Sequence, residues 1–206
     1  EYTLTEVGGG LEGFLYKSQN VRVTAEKTEK VHFVNEVISA SLKLIKQDAE
    51  YAERKLAGAV FEIYKIMENG SEVEYDVMTD CGNGEYVVQD LTVGQYCVKE
   101  IRAPENYQLT SLTMSFQVTR EDHGKEIEIP SLTSGNTLKE EPQRGTLEIL
   151  KVFEKYGQVV GSIRSLQGIR FHVTGQNYDE EVMTDTEGRI LFPGLRVGKY
   201  RIEEVL

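Results

Sequence analysis

Only two cysteines, Cys81 and Cys97, occur in 206 residues. That is too few for a disulfide framework, and no second pair exists to make a metal site. Strand parity turns Cys97 away from the face carrying Val98 and Glu100, and Cys81 falls in a turn, so both thiols are expected to be free, with a disulfide between them as the alternative. Basic residues are also scarce. Lys and Arg number 23 against 34 Asp and Glu, for a net charge of −11. A chain without a basic stripe cannot neutralise phosphates, which excludes a nucleic-acid partner and an anionic membrane surface. No apolar run is long enough to span a bilayer and no signal-peptide pattern is present, so no membrane insertion is expected in this segment. The acidic runs have no EF-hand spacing, and Gly8-Gly-Gly10 is not followed by the Lys-Ser/Thr of a phosphate loop. His32, His123 and His172 share no pattern. Neither a metal nor a cofactor is expected. No long amphipathic helix appears either.

What the chain does have is a repeat. Tyr2-Thr-Leu-Thr-Glu6, Tyr96-Cys-Val-Lys-Glu100 and Tyr200-Arg-Ile-Glu-Glu204 are versions of one phrase. Leu42-x-Leu44-x-Lys46 recurs as Leu147-x-Ile149-x-Lys151, and Val77-Met-Thr-Asp80 recurs as Val182-Met-Thr-Asp185. Leu91-Thr-Val-Gly-Gln-Tyr96 recurs as Leu195-Arg-Val-Gly-Lys-Tyr200. The glutamates are spaced by 100 − 6 = 94 and 204 − 100 = 104 positions, the length of one small domain. The expected organisation is the C-terminal part of one repeat (1–38), a complete repeat (39–141) and the N-terminal part of another (145–206), separated by a short linker at 35–41 and by Lys139–Gly145.

Apolar alternation at period two, rich in β-branched and aromatic residues and broken by turn signals, predicts an all-β chain. Seven strands are expected in the complete repeat, near 41–47, 58–65, 73–79, 85–90, 95–101, 112–119 and 125–136. That number in about a hundred residues suggests a β-sandwich.

The same parity buries polar groups. Lys46 and Lys151 share the inward face of their strands with Leu42, Leu44, Leu147 and Ile149. Glu6, Glu100 and Glu204 face inward on a middle strand, and Asn35 does so in Val31-x-Phe33-x-Asn35. A strand-end lysine ordinarily snorkels to water, an edge glutamate ordinarily makes a salt bridge, and Asn35 alone would read as a turn residue. Together they have a chemical use. Burial lowers a lysine pKa and raises that of a carboxyl. A neutral amine is a nucleophile, and a protonated carboxyl can polarise an Asn carbonyl and carry protons. Attack by the amine with loss of ammonia would leave an isopeptide bond, so the core would turn over once, on itself.

Lys46-Gln-Asp48, Leu56-x-Gly-Ala-x-Phe61, Thr79-Asp-x-x-x-Gly84, Leu91-x-x-Gly-x-Tyr-x-x-x-Glu100 and Ala103-Pro-Glu-Asn-Tyr107 together resemble the Cna B-type, SpaA-like domain of Gram-positive adhesins and pilins. The resemblance spans one full copy and two partial ones. It implies tandem seven-stranded Greek-key sandwiches of the prealbumin-like, reverse immunoglobulin-like kind. It places the reactive lysine on Lys46 and Lys151, the catalytic glutamate on Glu100, Glu204 and Glu6, and the acceptor asparagine on Asn35 and Asn136. The chain departs from the pattern around Ser131-Leu-Thr-Ser-Gly-Asn136, and Lys151 is followed by Val-Phe in place of x-Asp.

The implied function is a stiff stalk segment of an extracellular surface protein anchored to the cell wall, in which a Lys–Asn cross-link carries load. Its partners would be neighbouring repeats, with host protein or glycan reached through other domains. The partial repeats could also complete one another between molecules by strand addition, head to tail. A ligand-binding sandwich module or an accessory domain of a secreted carbohydrate-active enzyme is the alternative.

Overall fold

The computed structural model describes residues 1–10, 12–133, 135–155, 158–160 and 166–205. Eighteen strands lie among them: β1 (Tyr2–Thr5), β2 (Ser18–Val21), β3 (Ser39–Asp48), β4 (Val60–Ile66), β5 (Glu72–Val77), β6 (Thr79–Asp80), β7 (Glu85–Thr92), β8 (Gly94–Arg102), β9 (Thr113–Val118), β10 (Glu126–Ile127), β11 (Thr137–Glu140), β12 (Arg144–Leu150), β13 (Phe153–Lys155), β14 (Gln158–Val160), β15 (Arg170–Gly175), β16 (Tyr178–Met183), β17 (Arg189–Arg196) and β18 (Arg201–Glu204). A single 3₁₀ turn, Arg120–Asp122, interrupts the described β structure. The chain divides into two compact units. Residues 1–105 and 109–140 form the first, and residues 106–108 and 141–206 form the second.

In the first unit, β3 is the organising strand. Its residues alternate strictly between half-buried and buried, because the sequence alternates polar residues with Ala40, Leu42, Leu44 and Lys46. β7 lies antiparallel on one side of β3, while β10 and β11 lie parallel on the other. A second sheet runs in the order β5-β4-β8-β9, antiparallel throughout. The inward rows of both sheets meet in one core that includes Leu42, Leu44, Phe61, Ile63, Tyr86, Val98, Met114 and Leu138. Burial at about 25 cal/mol per Å² of apolar surface is the main term holding the sheets face to face. Phe61 packs edge-on against Tyr86 at 4.9 Å. The Tyr86 hydroxyl donates to Leu56 O (2.8 Å) and accepts from Ala59 N (3.0 Å), so its polar end is satisfied within the core. β1 and β2 form a separate antiparallel hairpin in this unit.

Two expected strands differ. The stretch 73–79 is divided between β5, which pairs with β4, and β6, which pairs with β7 in the other sheet. The stretch 125–136 is not continuous. It gives the two-residue β10, a turn region, and then β11 beginning at Thr137. Gly135 (φ 74°) and Asn136 (φ 52°) adopt left-handed backbone, which an extended strand does not use. Ser134, within that tract, lies outside the described residues.

The second unit repeats the plan in part. β12 pairs with β17, and β15 lies between β16 and β18. Phe171, Val173, Ile190 and Phe192 form its buried core.

Candidate functional site

The innermost polar group of the first unit is Lys46, whose side chain is wholly buried. It occupies the inward parity of β3 after Leu42 and Leu44, so the strand period that builds the core also drives the ammonium into it. Phe61 lies beneath it, with Nζ 5.4 Å from the ring centre. Its other neighbours are two carboxylates from different strands.

Glu100 comes from the facing sheet. Register on β4 sets Glu100 opposite Phe61, just past an irregularity at Val60/Phe61. Its Oε1 lies 2.8 Å from Lys46 Nζ, and no side-chain surface of either residue reaches solvent. Its Oε2 accepts from the backbone N–H of Thr110 at 3.0 Å, which fixes the carboxyl plane. Glu140 comes from β11. Leu138 pairs with Lys46, and Glu140, two residues on, points to the same face and makes an ion pair with Nζ. The Glu140 side chain is 2% exposed.

These three atoms have no other partners. Lys46 Nζ, Glu100 Oε1 and Glu140 Oε2 are all buried and make no aligned hydrogen bond among the described residues. They face one another across the buried cluster. Burial pushes the Lys46 ammonium below the ordinary lysine range, and the adjacent Glu100 opposes that shift without cancelling it.

Asn136 is placed differently. Its side chain is buried (3% exposed), but its Oδ1 accepts from Ile129 N (2.7 Å), and its Nδ2 donates to Ile127 O (2.7 Å) and Lys43 O (3.0 Å). The amide ties the turn region after β10 to β3, while the carboxyl of Glu140 meets Lys46.

The other site residues share the backbone positions but not the burial expected of inward-facing groups. Lys151 lies 2.7 Å from Glu204, both partly exposed. Glu204 pairs with Phe171 across β15 and β18, as Glu100 pairs with Phe61. Lys46 N donates to Gly84 O and Lys151 N to Gly188 O, both at 2.8 Å, so the two lysines hold equivalent backbone positions. Glu6 has an Oε2 that accepts from Lys17 N (2.9 Å), the counterpart of the Glu100–Thr110 bond. Asn35 is half-buried, and its Oδ1 is buried without a hydrogen bond among the described residues. No described contact joins Glu6 to Asn35.

Two buried carboxylates were not expected from the sequence to be buried. Asp48, on the inward row of β3, caps the following turn by accepting from Glu50 N (2.9 Å) and Tyr51 N (3.2 Å) and lies 3.5 Å from Arg54. Glu140 is the other. A signal for it existed in the repeat spacing. Asn35 precedes Lys46 by 46 − 35 = 11 positions, and Glu140 precedes Lys151 by 151 − 140 = 11. Leu138-x-Glu140 therefore stands where Phe33-x-Asn35 stands in the preceding copy. Among the described residues no His/Cys/Asp/Glu group could hold a metal ion. Cys81 is exposed and free, and Cys97 is buried and free.

The family of SpaA prealbumin-like fold domains matches residues 40–132 and 153–206. No curated protein matches the sequence. Among solved structures, the Bacillus anthracis TIE protein aligns over 100% of this chain with a TM-score of 0.70 and 24% identity. The chain spans 36% of that protein's length, and the likeness is one of fold. A streptococcal ancillary pilin aligns over 98% of this chain and 64% of its own, at 20% identity and a TM-score of 0.38. The C-terminal fragment of the pilus adhesin SpaC from Lactobacillus rhamnosus GG aligns over 82% and 75%, at 16% identity and a TM-score of 0.46.

Proposed function

The chain belongs to the family of SpaA prealbumin-like fold domains, and from that premise we propose that it is a structural stalk segment of a Gram-positive cell-surface adhesin or pilin, stiffened by a self-made amide cross-link. The observation that carries this is the wholly buried Lys46 of the first β3 strand, held 2.8 Å from Glu100 in the facing sheet and in contact with the last strand, β11. A salt bridge so deep is poor value as a stabiliser, since desolvation offsets its Coulombic gain. It makes sense as a reactive centre. Burial moves Lys46 toward the neutral amine that attacks a carbonyl, and Glu100, fixed by Thr110, carries protons between the nitrogen and the leaving group.

The segment turns over once and on itself. Its partners are neighbouring repeats of the same kind, arranged along a cell-wall-anchored, extracellular protein. Lys151 with Glu204 is the equivalent pair of the next repeat, and Glu6 with Asn35 supplies the glutamate and acceptor of the preceding one.

Intact mass of the denatured protein tests the chemistry. The wild type is expected to weigh less than its sequence by one small leaving group. Lys46→Ala is expected to show its full sequence mass from the first unit. Full mass in the wild type would reject the cross-link.

A further inference from the structure

Building on that covalent reading, we propose that the acceptor facing Lys46 is the side-chain carboxyl of Glu140, so that the first unit closes with release of water rather than ammonia. Three observations converge on it. Glu140 contacts Lys46 Nζ from the adjacent strand, with its carboxyl buried. Its Oε2 has no hydrogen-bond partner that would hold it away from reaction. It occupies the repeat position held by Asn35 in the preceding copy, 11 residues before the next lysine. Asn136 has the opposite circumstances. Both ends of its amide are engaged by Ile129, Ile127 and Lys43, and loss of its nitrogen would break two of those bonds.

The charges of the trio suit this step. One ammonium balances one carboxylate, and a second anion in the same dry space would stand unbalanced. The cluster therefore retains a proton on a carboxyl. When that proton sits on Glu140, Lys46 passes its ammonium proton to Glu100, and the neutral Nζ attacks Glu140 Cδ. Glu100 gives its proton to the departing hydroxyl and takes one from the attacking nitrogen, so it ends protonated and uncharged. The Nζ–Cδ bond forms, the Cδ–OH bond breaks, and one water leaves. No oxidant or co-reactant is required. The product is a neutral amide lying between the two strands, which removes two charges from the core.

The test is intact mass of the full denatured chain together with a peptide map of its digest. The expected result is a deficit of one water and a branched peptide joining Lys46 to Glu140. Glu140→Gln keeps the length of the side chain but changes the leaving group, so its deficit becomes one ammonia. Asn136→Gly is expected to keep the one-water deficit. A one-ammonia deficit in the wild type, with a branch at Asn136, would overturn the assignment of Glu140 while leaving the covalent reading intact. A one-water deficit without the Lys46–Glu140 branch would also overturn the assignment. No deficit would overturn both. If Glu140→Gln does not fold, the wild-type branch site alone decides the matter.

Discussion

Lys46 and Cys97 show what a single position on a strand decides. Lys46 was legible as buried because Leu42 and Leu44 share its parity, and alternation leaves no other face. Removing it orphans two carboxyls. Lys46→Ala is expected to cost at least about 3–5 kcal/mol in urea unfolding, the cost of breaking a buried ion pair, before any loss of the link is counted. Cys97 has the opposite parity from Glu100, yet it is only 1% exposed, against the half-solvated face that its parity suggested. Its thiol lies 3.5 Å from Glu72, and burial pushes it up to about 11 from 9.0. An acid whose folded pKa is raised favours the fold while protonated. Its contribution is therefore full below about pH 9 and is lost as pH rises toward 11. At neutral pH, alkylation of the native protein is expected to modify Cys81 alone, with Cys97 reacting only after denaturation. Mass spectrometry after brief iodoacetamide treatment checks this, and rapid double labelling would contradict the buried placement.

At the scale of the element, the parallel pair β3 and β11 is the part the sequence reading did not resolve. Five of the seven expected tracts form single strands, legible because each alternates. The tract 125–136 ends in two left-handed residues, and the strand it should have formed starts only at Thr137. Asn136 is the asparagine of this tract, and beyond it the inward parity continues through Leu138 and Glu140. In the fold, Asn136 works as a clasp between the turn region and β3. Asn136→Gly keeps the positive φ but deletes three hydrogen bonds. It is expected to destabilise the first unit by about 2–4 kcal/mol, at roughly 1 kcal/mol per bond with a further cost for orphaned backbone groups. Thermal unfolding measures it. Gly84 guards the other side of β3. A Cβ there would sit 2.6 Å from Lys55 Cβ and 2.7 Å from Leu56 N, at a φ of 79°. A Cβ on Gly188 would likewise sit 2.8 Å from Lys151 O. Gly84→Ala is expected to lower stability by more than about 1 kcal/mol, the left-handed cost alone, and to reduce the fraction of chains cross-linked, because β3 must shift where Lys46 is held.

Across the whole molecule, the consequence is mechanical. In the first unit, β3 and β11 lie side by side and parallel. In the proposed stalk, tension entering β3 at Ser39 and leaving β11 at Glu140 would pull the two parallel strands past each other and load their ladder bonds together. A bond from Lys46 to Glu140 bypasses that ladder. It encloses 140 − 46 = 94 positions, a loop for which cross-link entropy alone is worth about 4–5 kcal/mol if the disulfide relation transfers. The larger effect is kinetic, since a segment that cannot lengthen is neither extended by force nor opened to proteases. In single-molecule pulling of the full chain, the wild type is therefore expected to hide those residues from extension. Lys46→Ala should release additional length on the order of 300 Å, the fully extended span of the enclosed segment. Equal extension of the two proteins would mean that force passes through the ladder alone, and that the buried lysine and its two carboxylates hold this unit only as charges.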